Sequence, residues 1–226
     1  MSDILDIGAS DPPDWRLRRR TRIVEAASAL FSERAYAAVQ MDDVARAAGM
    51  SKATVYRYFR SKETLYLEIF DHALVALIAS VEQLRHRRLP PRETMAAIIA
   101  AIVGTFAVHI GTLRSLMADE ADLADGIRRV FRGRRREINA LLAQTIADGA
   151  ASGAFRDLDV EAVPGVLVGM CWGGIMGAPG TKPESLAEII SAVFLDGASW
   201  PEKAARAAGS RRAARVNGQG SQEPSS

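Results

Sequence analysis

The sequence is poor in cysteine and histidine. Cys171 is its single cysteine, so the chain can form no disulfide with itself, as expected in a reducing compartment. The three histidines are scattered, and no HxxxH or CxxC spacing offers a metal site. No glycine-rich phosphate loop follows a strand-like pattern. We therefore predict no metal, no cofactor and no enzymatic activity.

Strand patterns and a leader-like segment are also lacking. No stretch alternates apolar and polar residues, whereas apolar residues at helical spacing recur along the chain, which predicts an all-α fold. The N-terminus MSDILDIGASDPPD has no apolar core of signal-peptide length. We expect the protein to stay in the cytoplasm.

Charged residues are missing from residues 94–113, a run long enough to span a membrane. His109 lies inside this run, alanine and glycine dominate its other face, and no aromatic belt flanks it. We favour a helix over residues 92–111 that is buried all round in a helical bundle. It follows a long helix that is capped by Ser61 and reaches to about His86. A membrane-associated helical protein is the alternative.

The charges that are present are unevenly distributed. Residues 15–62 hold eleven Lys/Arg against four Asp/Glu, whereas the rest of the chain holds eighteen against twenty-three. A basic module joined to a mildly acidic body is typical of a polyanion-binding head on a body with another purpose.

The basic part contains the segment QMDDVARAAGMSKATVYRYFRSK, residues 40–62. Residues 41–48 have apolar side chains at i, i+3, i+4 and i+7, and Gly49 suits the left-handed turn that ends a helix. Ser51 stands at the N-cap of a second short helix, whose inward side carries Val55 and Phe59. Two short helices joined by such a turn predict a helix-turn-helix, whose second helix enters the DNA major groove.

Residues 21–70, most closely DDVARAAGMSKATVYRYF and SKETL, resemble the DNA-binding domain of the TetR (tetracycline-repressor) family of bacterial regulators. The resemblance implies a homodimeric repressor that binds a palindromic operator and is released by a small effector. Two positions depart from the family pattern: Ala35 stands where glycine is usual, and Gln40 where a Thr or Ser usually caps the next helix.

The resemblance also implies which residues contact DNA. These are Gln40, Ser51, Lys52, Ala53, Thr54, Tyr56, Arg57, Tyr58 and Lys62. The chemistry of three of them fits independently, because Arg57 can donate two bonds to a guanine edge, and Lys52 and Lys62 can neutralise phosphates. The first helix adds several arginines near its start, for which we favour phosphate or minor-groove contact.

The predicted organisation has four parts. Residues 1–13 form a disordered arm, 14–61 the helix-turn-helix domain, 62–200 an effector-binding and dimerisation domain, and 201–226 a disordered tail. The helices of the body have apolar linings, so the effector is expected to be small and apolar. The candidate pocket residues are Met95, Ile99, Val103, Phe106, His109, Phe131, Leu142, Thr145, Met170 and Trp172. A ligand-independent regulator or an architectural DNA-binding protein is the alternative.

The last two predicted helices, residues 160–177 and 183–196, each have a face too apolar for water. Glycines recur every four residues on the first, as where another backbone approaches closely. Related proteins pair these helices in a four-helix interface. We therefore predict a dimer interface of Gly165, Gly169, Gly173, Leu186, Ile189, Ile190, Val193 and Phe194.

A run of arginines between Arg128 and Arg136 has no assigned role. We favour a solvated, salt-bridged helix face, with an anion site or second DNA site as the alternative.

Overall fold

Helices make up the regular structure in the described part of the chain. The computed structural model describes residues 14–119 and 121–198, leaving aside the side chains of residues 110–124 and 198. Within these limits it has eight α-helices, a short 3-10 turn and no strand, so the predicted all-α class is confirmed. The elements are α1 (Asp14–Glu33), the 3-10 turn (Tyr36–Ala38), α2 (Met41–Ala47), α3 (Lys52–Tyr58), α4 (Lys62–His86), α5 (Pro91–Asp119), α6 (Ala121–Ala151), α7 (Val163–Gly177) and α8 (Pro183–Ala198). The arm and tail predicted at 1–13 and 201–226 lie outside the described residues.

The first three helices pack around one small core. Its members are Ile23, Val24, Ala27 and Phe31 of α1, Met41, Val44 and Ala45 of α2, and Val55 with the following Phe59 from α3. Each set follows helical spacing, so one face of each helix is buried. As predicted, Val55 and Phe59 point inward and are completely buried.

The turn at Ala35 is not strained. Its φ is −54° and its ψ is 144°, which any residue adopts without penalty. Glycine is therefore not needed at this position, and alanine costs the fold nothing there.

An aromatic cluster joins this head to α4. The ring centres of Phe31, Tyr36 and Tyr66 are 5.1–5.6 Å apart in pairs. Two of these contacts are edge-to-face, a geometry that adds stability beyond the buried area. The start of α4 is thereby held against the head.

The first of the two middle helices, α4, begins and ends as predicted, whereas the second, α5, begins one residue earlier and ends later than predicted. Ser61 caps α4 by accepting a bond from the Thr64 N–H at 3.2 Å, and α5 begins at Pro91. The predicted end of the second of these helices at Gly111 is wrong, because α5 runs on to Asp119. One interior glycine costs a helix only about 1 kcal/mol, which its neighbours can outweigh. The expectation that this helix is buried all round is also wrong, because Val108 is 56% exposed.

The end of α6 and the start of α7 are shaped by local contacts. A Cβ on Gly149 would lie 2.0 Å from the buried ring of Phe155, so only glycine allows this fold-back. The helix predicted to begin at residue 160 begins at Val163. Asp159 nevertheless caps the preceding turn, since its Oδ1 accepts from the N–H groups of Glu161 and Ala162 at 2.9 and 3.0 Å.

The chain divides into two compact units. The first unit contains the described residues up to Ala79 together with Gly104–Arg136. The second unit contains Ser80–Val103 and the described residues from Glu137 onward. The helices α4, α5 and α6 each contribute residues to both units, so this division differs from the functional boundary predicted between residues 61 and 62.

Two of the described helical stretches, Lys62–His86 and Pro91–His109, are long and apolar enough to cross a membrane by length and composition alone. Core helices of water-soluble proteins meet the same criterion. The DNA-binding site and the related proteins described below decide between a membrane span and a core helix.

Candidate nucleic-acid interface

The turn between α2 and α3 is fixed by backbone hydrogen bonds. Gly49 has φ of 65°, and its N–H donates to the Arg46 carbonyl at 3.1 Å. The Met50 N–H donates to the Ala45 carbonyl at 2.9 Å, which completes a Schellman motif. Arg22 of α1 donates to the Ala48 carbonyl at 2.9 Å. The corner that sets the angle of α3 is therefore held from both sides.

The first turn of α3 is capped as predicted. The Ser51 hydroxyl accepts from the Thr54 N–H at 3.2 Å and lies 2.9 Å from the Thr54 hydroxyl. The other end of the helix stops at Tyr58, because Phe59 has an extended backbone and turns into the core. The helix thus presents only two turns to solvent.

The residues predicted to contact DNA lie on the outer side of this head. Ser51, Lys52, Ala53, Tyr56, Arg57 and Gln40 are exposed, whereas Thr54, Tyr58 and Lys62 are half-buried. Tyr56 is 40% exposed, so Tyr58 is the tyrosine that packs more fully. Arg57 makes no hydrogen bond or ion pair with the described residues, which leaves its guanidinium available to a base edge.

A cleft of about 390 Å³ opens beside α3. It is lined by Gln40, Met41, Asp42, Lys52, Tyr56, Arg60, Ser61, Lys62 and Glu63. Four of the predicted DNA-contact residues thus share one concave surface, together with Arg60 and Asp42, which the sequence analysis missed. Arg60 could have been predicted from the sequence, because it follows the inward-facing Phe59 at the end of the recognition helix.

Asp42 competes for one of the cations in this cleft. Its Oδ1 lies 2.7 Å from Nζ of Lys52, and both side chains are more than half exposed. The hydrogen bond to Asp42 raises the pKa of Lys52, so the ammonium stays charged. A phosphate approaching Lys52 must share it with, or take it from, this carboxylate.

Lys62 has an internal role that the sequence did not indicate. Its Nζ donates to the carbonyls of Tyr36 and Val39 at 3.0 and 3.2 Å. The same ammonium lies 4.1 Å from the centre of the Tyr36 ring. Lys62 therefore holds the 3-10 turn against the start of α4, and one N–H remains for the predicted phosphate contact.

Gln40 and Asp43 form a capping box at the start of α2. Its backbone N–H donates to the Asp43 carboxylate at 3.1 Å, and this bond holds the pKa of Asp43 below its usual range. The side-chain amide reaches the Ala37 carbonyl only at 3.5 Å. The amide of Gln40 is exposed and its bond to Ala37 is long, so a phosphate can compete for it.

The arginines of α1 are less available than their number indicates. The guanidinium of Arg20 forms a two-bond ion pair with Glu68 on α4, with 2.7 Å between Nε and Oε1. It also stacks on the Phe59 ring at 4.6 Å. Arg22 holds the turn before α3 through its bond to the Ala48 carbonyl. The remaining exposed ones, such as Arg16 and Arg19, stay candidates for phosphate contact.

The predicted pocket residues fall in both units. Phe106, His109 and Phe131 belong to the first unit, and Met95, Ile99, Val103, Leu142, Thr145, Met170 and Trp172 to the second. Most are buried, while Phe131, Met170 and Trp172 are half-buried.

The two polar candidates for the pocket already have partners. Nδ1 of His109 is 2.9 Å from the Tyr66 hydroxyl, and burial lowers the pKa of this histidine to about 4. The Thr145 hydroxyl donates to the Leu141 carbonyl at 2.8 Å within its own helix. Both therefore behave as satisfied core residues in this structure. The buried thiol of Cys171 is equally inert, because burial raises its pKa to about 12.

The apolar stripe of α8 splits into two sets. Leu186, Ile190 and Phe194 are at most 8% exposed and belong to the core of the chain itself, which corrects their prediction as interface residues. Ile189 and Val193 are 56% and 61% exposed. The two sets separate because α7 covers only one side of α8.

The glycines of α7 separate in the same way. Gly174 packs inward, and a Cβ there would lie 3.0 Å from Leu186 and 3.2 Å from Ile190. Gly169 and Gly173 would meet nothing within 4 Å, and nearby Val166 is 60% exposed. The half-buried Gly165 continues this row one turn earlier. The described chain thus leaves a smooth, apolar outer face on α7 and α8.

Two family descriptions match the chain where these features lie. Residues 23–69 match "Bacterial regulatory proteins, tetR family", and residues 88–174 match "Tetracyclin repressor-like, C-terminal domain". The HTH-type transcriptional repressor KstR2 of Rhodococcus jostii (strain RHA1) is 26% identical over 208 residues, which are 85% of this chain and 97% of that protein.

Solved structures share the fold. The ketosteroid transcriptional regulator KstR2 of Mycobacterium tuberculosis has a TM-score of 0.55 at 23% identity, covering 81% of this chain and 96% of its own. The transcriptional regulator FadR from Bacillus subtilis in complex with stearoyl-CoA has a TM-score of 0.58 at 20% identity, covering 78% and 98%.

The fold and the exposed face of α3 define a helix-turn-helix DNA-binding protein. With both family descriptions matched in order, the chain belongs to the TetR family of bacterial transcriptional regulators. It is a DNA-binding transcriptional regulator, and its long apolar helices are those of a regulator's helical body. Regulators of this family bind operator DNA and small effectors and form dimers.

Proposed function

We propose that the protein represses transcription as a homodimer on a palindromic operator and that a small apolar effector releases it. The observation that carries the DNA side is the outer face of α3, where Arg57 is exposed and unpaired among the described residues. Around it, the cleft supplies cations and a tyrosine hydroxyl suited to phosphate.

Within this interface we assign different roles to the side chains. Arg57 reads a base, because a guanidinium can donate two bonds to one guanine. Lys52, Arg60 and Tyr56 hold the DNA backbone, and the exposed amide of Gln40 adds a neutral contact. Residues 14–61 would then act as the DNA-binding domain, and residues 62–200 as the effector-binding and dimerisation domain.

The dimer is proposed to form through the outer face of α7 and α8. Val166, Ile189 and Val193 are large apolar side chains that are each more than half exposed in the single chain. Gly169 and Gly173 leave the surface between them open to a close approach. A twofold axis makes this patch meet its own copy. Two heads related in this way would read half-sites roughly 34–36 Å apart, or somewhat more.

The effector is proposed to have a fatty-acyl or steroid body. The interior residues predicted to line a pocket are almost all apolar, which suits such a body. Two structural relatives point in the same direction by name, one a ketosteroid regulator and one a complex with stearoyl-CoA. Ligand-independent DNA binding is the competing possibility. We further propose that the protein works in the cytoplasm and has no catalytic activity.

Operator titration tests the DNA side. The operator is first selected from a random-sequence pool by the wild-type protein, and affinity is then measured by fluorescence anisotropy. Arg57→Ala should lose roughly 1–3 kcal/mol of discrimination at one base pair in each half-site. Arg87→Ala, which removes an exposed arginine of the second unit, is the charge-matched control. Unchanged specificity in Arg57→Ala would remove this residue from the interface.

A thermal-shift screen tests the effector. Fatty acids, acyl-CoA thioesters and steroids are added to the protein alone and to its operator complex. A true effector should raise the melting temperature of the free protein and lower operator affinity. Stable binding of all these compounds without any change in operator affinity would favour the ligand-independent alternative.

A further inference from the structure

One face of α6 in the first unit is strongly basic. Arg128, Arg129, Arg132, Arg135 and Arg136 are all exposed. At 100° per residue, these five side chains fall within about 120° of the helix circumference and along about 12 Å of its length. We call this surface the arginine face.

The arginine face has few neutralising partners among the side chains that the structure describes. Among the described residues, only Arg128 has a carboxylate partner, Asp125, which is itself exposed. Like charges three and four residues apart destabilise a helix by about 0.2–0.5 kcal/mol per pair. The face therefore carries an unfavourable charge density that a polyanion would relieve.

The orientation of α6 is set by contacts on another side of the helix. Arg134 forms a two-bond ion pair with Asp71 of α4, with distances of 2.8 and 2.9 Å. Gly126 lies so close to α4 that a Cβ would be 2.7 Å from Leu67 Cδ1. With this side held against α4, the arginine face is directed to solvent.

The same contacts place the arginine face near the DNA cleft. Lys62, which lines the cleft, is the first residue of α4. Leu67 and Asp71 follow it by about 8 and 14 Å along the helix axis, at 1.5 Å per residue. The place where α6 contacts α4 is therefore less than one turn of duplex DNA, roughly 34–36 Å, from the cleft along the α4 axis.

We propose that the arginine face binds the phosphates of operator DNA that flank the half-site read by α3. This inference rests on the proposed function, because it needs a DNA complex. The face is convex and formed by a single helix, so it cannot enclose a small anion. An extended chain of phosphates can engage several guanidinium groups at once, and duplex DNA is such a chain.

The test compares two duplexes that share the selected operator. The short one ends at the operator, and the long one extends it by about 10 base pairs, one helical turn, on each side. The variant is the triple substitution Arg129→Gln, Arg132→Gln and Arg136→Gln, since glutamine keeps helix propensity. The control, Arg87→Gln, Arg156→Gln and Lys182→Gln, removes the same charge from exposed positions of the second unit. Circular dichroism verifies that both variants are folded.

Wild type and control should bind the long duplex more tightly and with a steeper salt dependence. The arginine variant should lose this length advantage, with the slope of log K against log salt falling by about 0.9 for each lost contact. Its affinity for the short duplex should hardly change. Equal length dependence in all three proteins would overturn the proposal.

Three other outcomes are also informative. If the arginine variant binds both duplexes like wild type but responds less to palmitoyl-CoA, the phosphates belong to an effector and the DNA assignment is wrong. If wild type selects no operator at all, the proposed function itself fails. A wild-type protein that binds its operator without any length dependence refutes only the inference.

Discussion

Replacing Lys62 with methionine separates an internal role from a DNA contact. Methionine keeps most of the side-chain length and removes the ammonium. The substitution leaves the carbonyls of Tyr36 and Val39 without the donor that now lies 3.0 and 3.2 Å away. It also removes the cation that lies 4.1 Å from the Tyr36 ring centre.

The expected loss follows from these three contacts. A hydrogen bond to a charged group contributes about 1.5–3 kcal/mol, and a cation–π contact about 0.5–1 kcal/mol near the surface. Because Lys62 is half-buried, we take the lower end of these ranges. A loss of about 3 kcal/mol should lower the melting temperature of a chain of this size by about 6–12 °C.

Calorimetry and operator titration are run on the same protein preparations. Lys62→Arg keeps a cation, and Lys52→Met removes a lysine of the same cleft whose ion-pair partner is the exposed Asp42. Lys52→Met should weaken DNA binding with little change in melting temperature. The main effect of Lys62→Met should instead be a lower melting temperature. A wild-type melting temperature for Lys62→Met, combined with the DNA defect of Lys52→Met, would refute the internal role.

Three further predictions address the cleft, the dimer and the buried histidine. Asp42→Asn frees Lys52 and should raise the affinity for DNA of any sequence. It should also steepen the slope of log K against log salt by about one unit per subunit. Fluorescence anisotropy measures both effects, with Glu82→Gln as the charge-matched control. Val193→Glu should weaken dimerisation about 100-fold or more in sedimentation, because each subunit would bury an unpaired charge. If this variant is folded and dimerises as tightly as wild type, the interface lies elsewhere. Val75→Glu, at another exposed valine, is the control. Because the pKa of His109 falls from 6.5 unfolded to about 4 folded, stability should be complete above pH 6.5 and decline as pH falls toward 4. The loss is about 3 kcal/mol in urea denaturation, and an equal decline in His109→Gln would assign it to other groups.

Local patterns in the sequence determined most of the secondary structure and the DNA-binding head. Gly49 and the cap at Ser51 are determined by neighbours within a few residues, so the corner of the helix-turn-helix was predictable. The inward positions of Val55 and Phe59 follow from helical spacing for the same reason. The end of α5 was not predictable from Gly111, because one glycine only weakens a helix.

Tertiary structure decided which partner each charged or apolar side chain finds. Lys62 pairs with a carbonyl 26 residues earlier, and no pattern along the chain encodes that distance. Leu186 and Ile189 belong to one apolar stripe in sequence, yet α7 covers the first and leaves the second exposed. Helical periodicity specifies that a face is apolar. What covers that face depends on packing between elements that are distant in the chain, and only the folded structure contains that information.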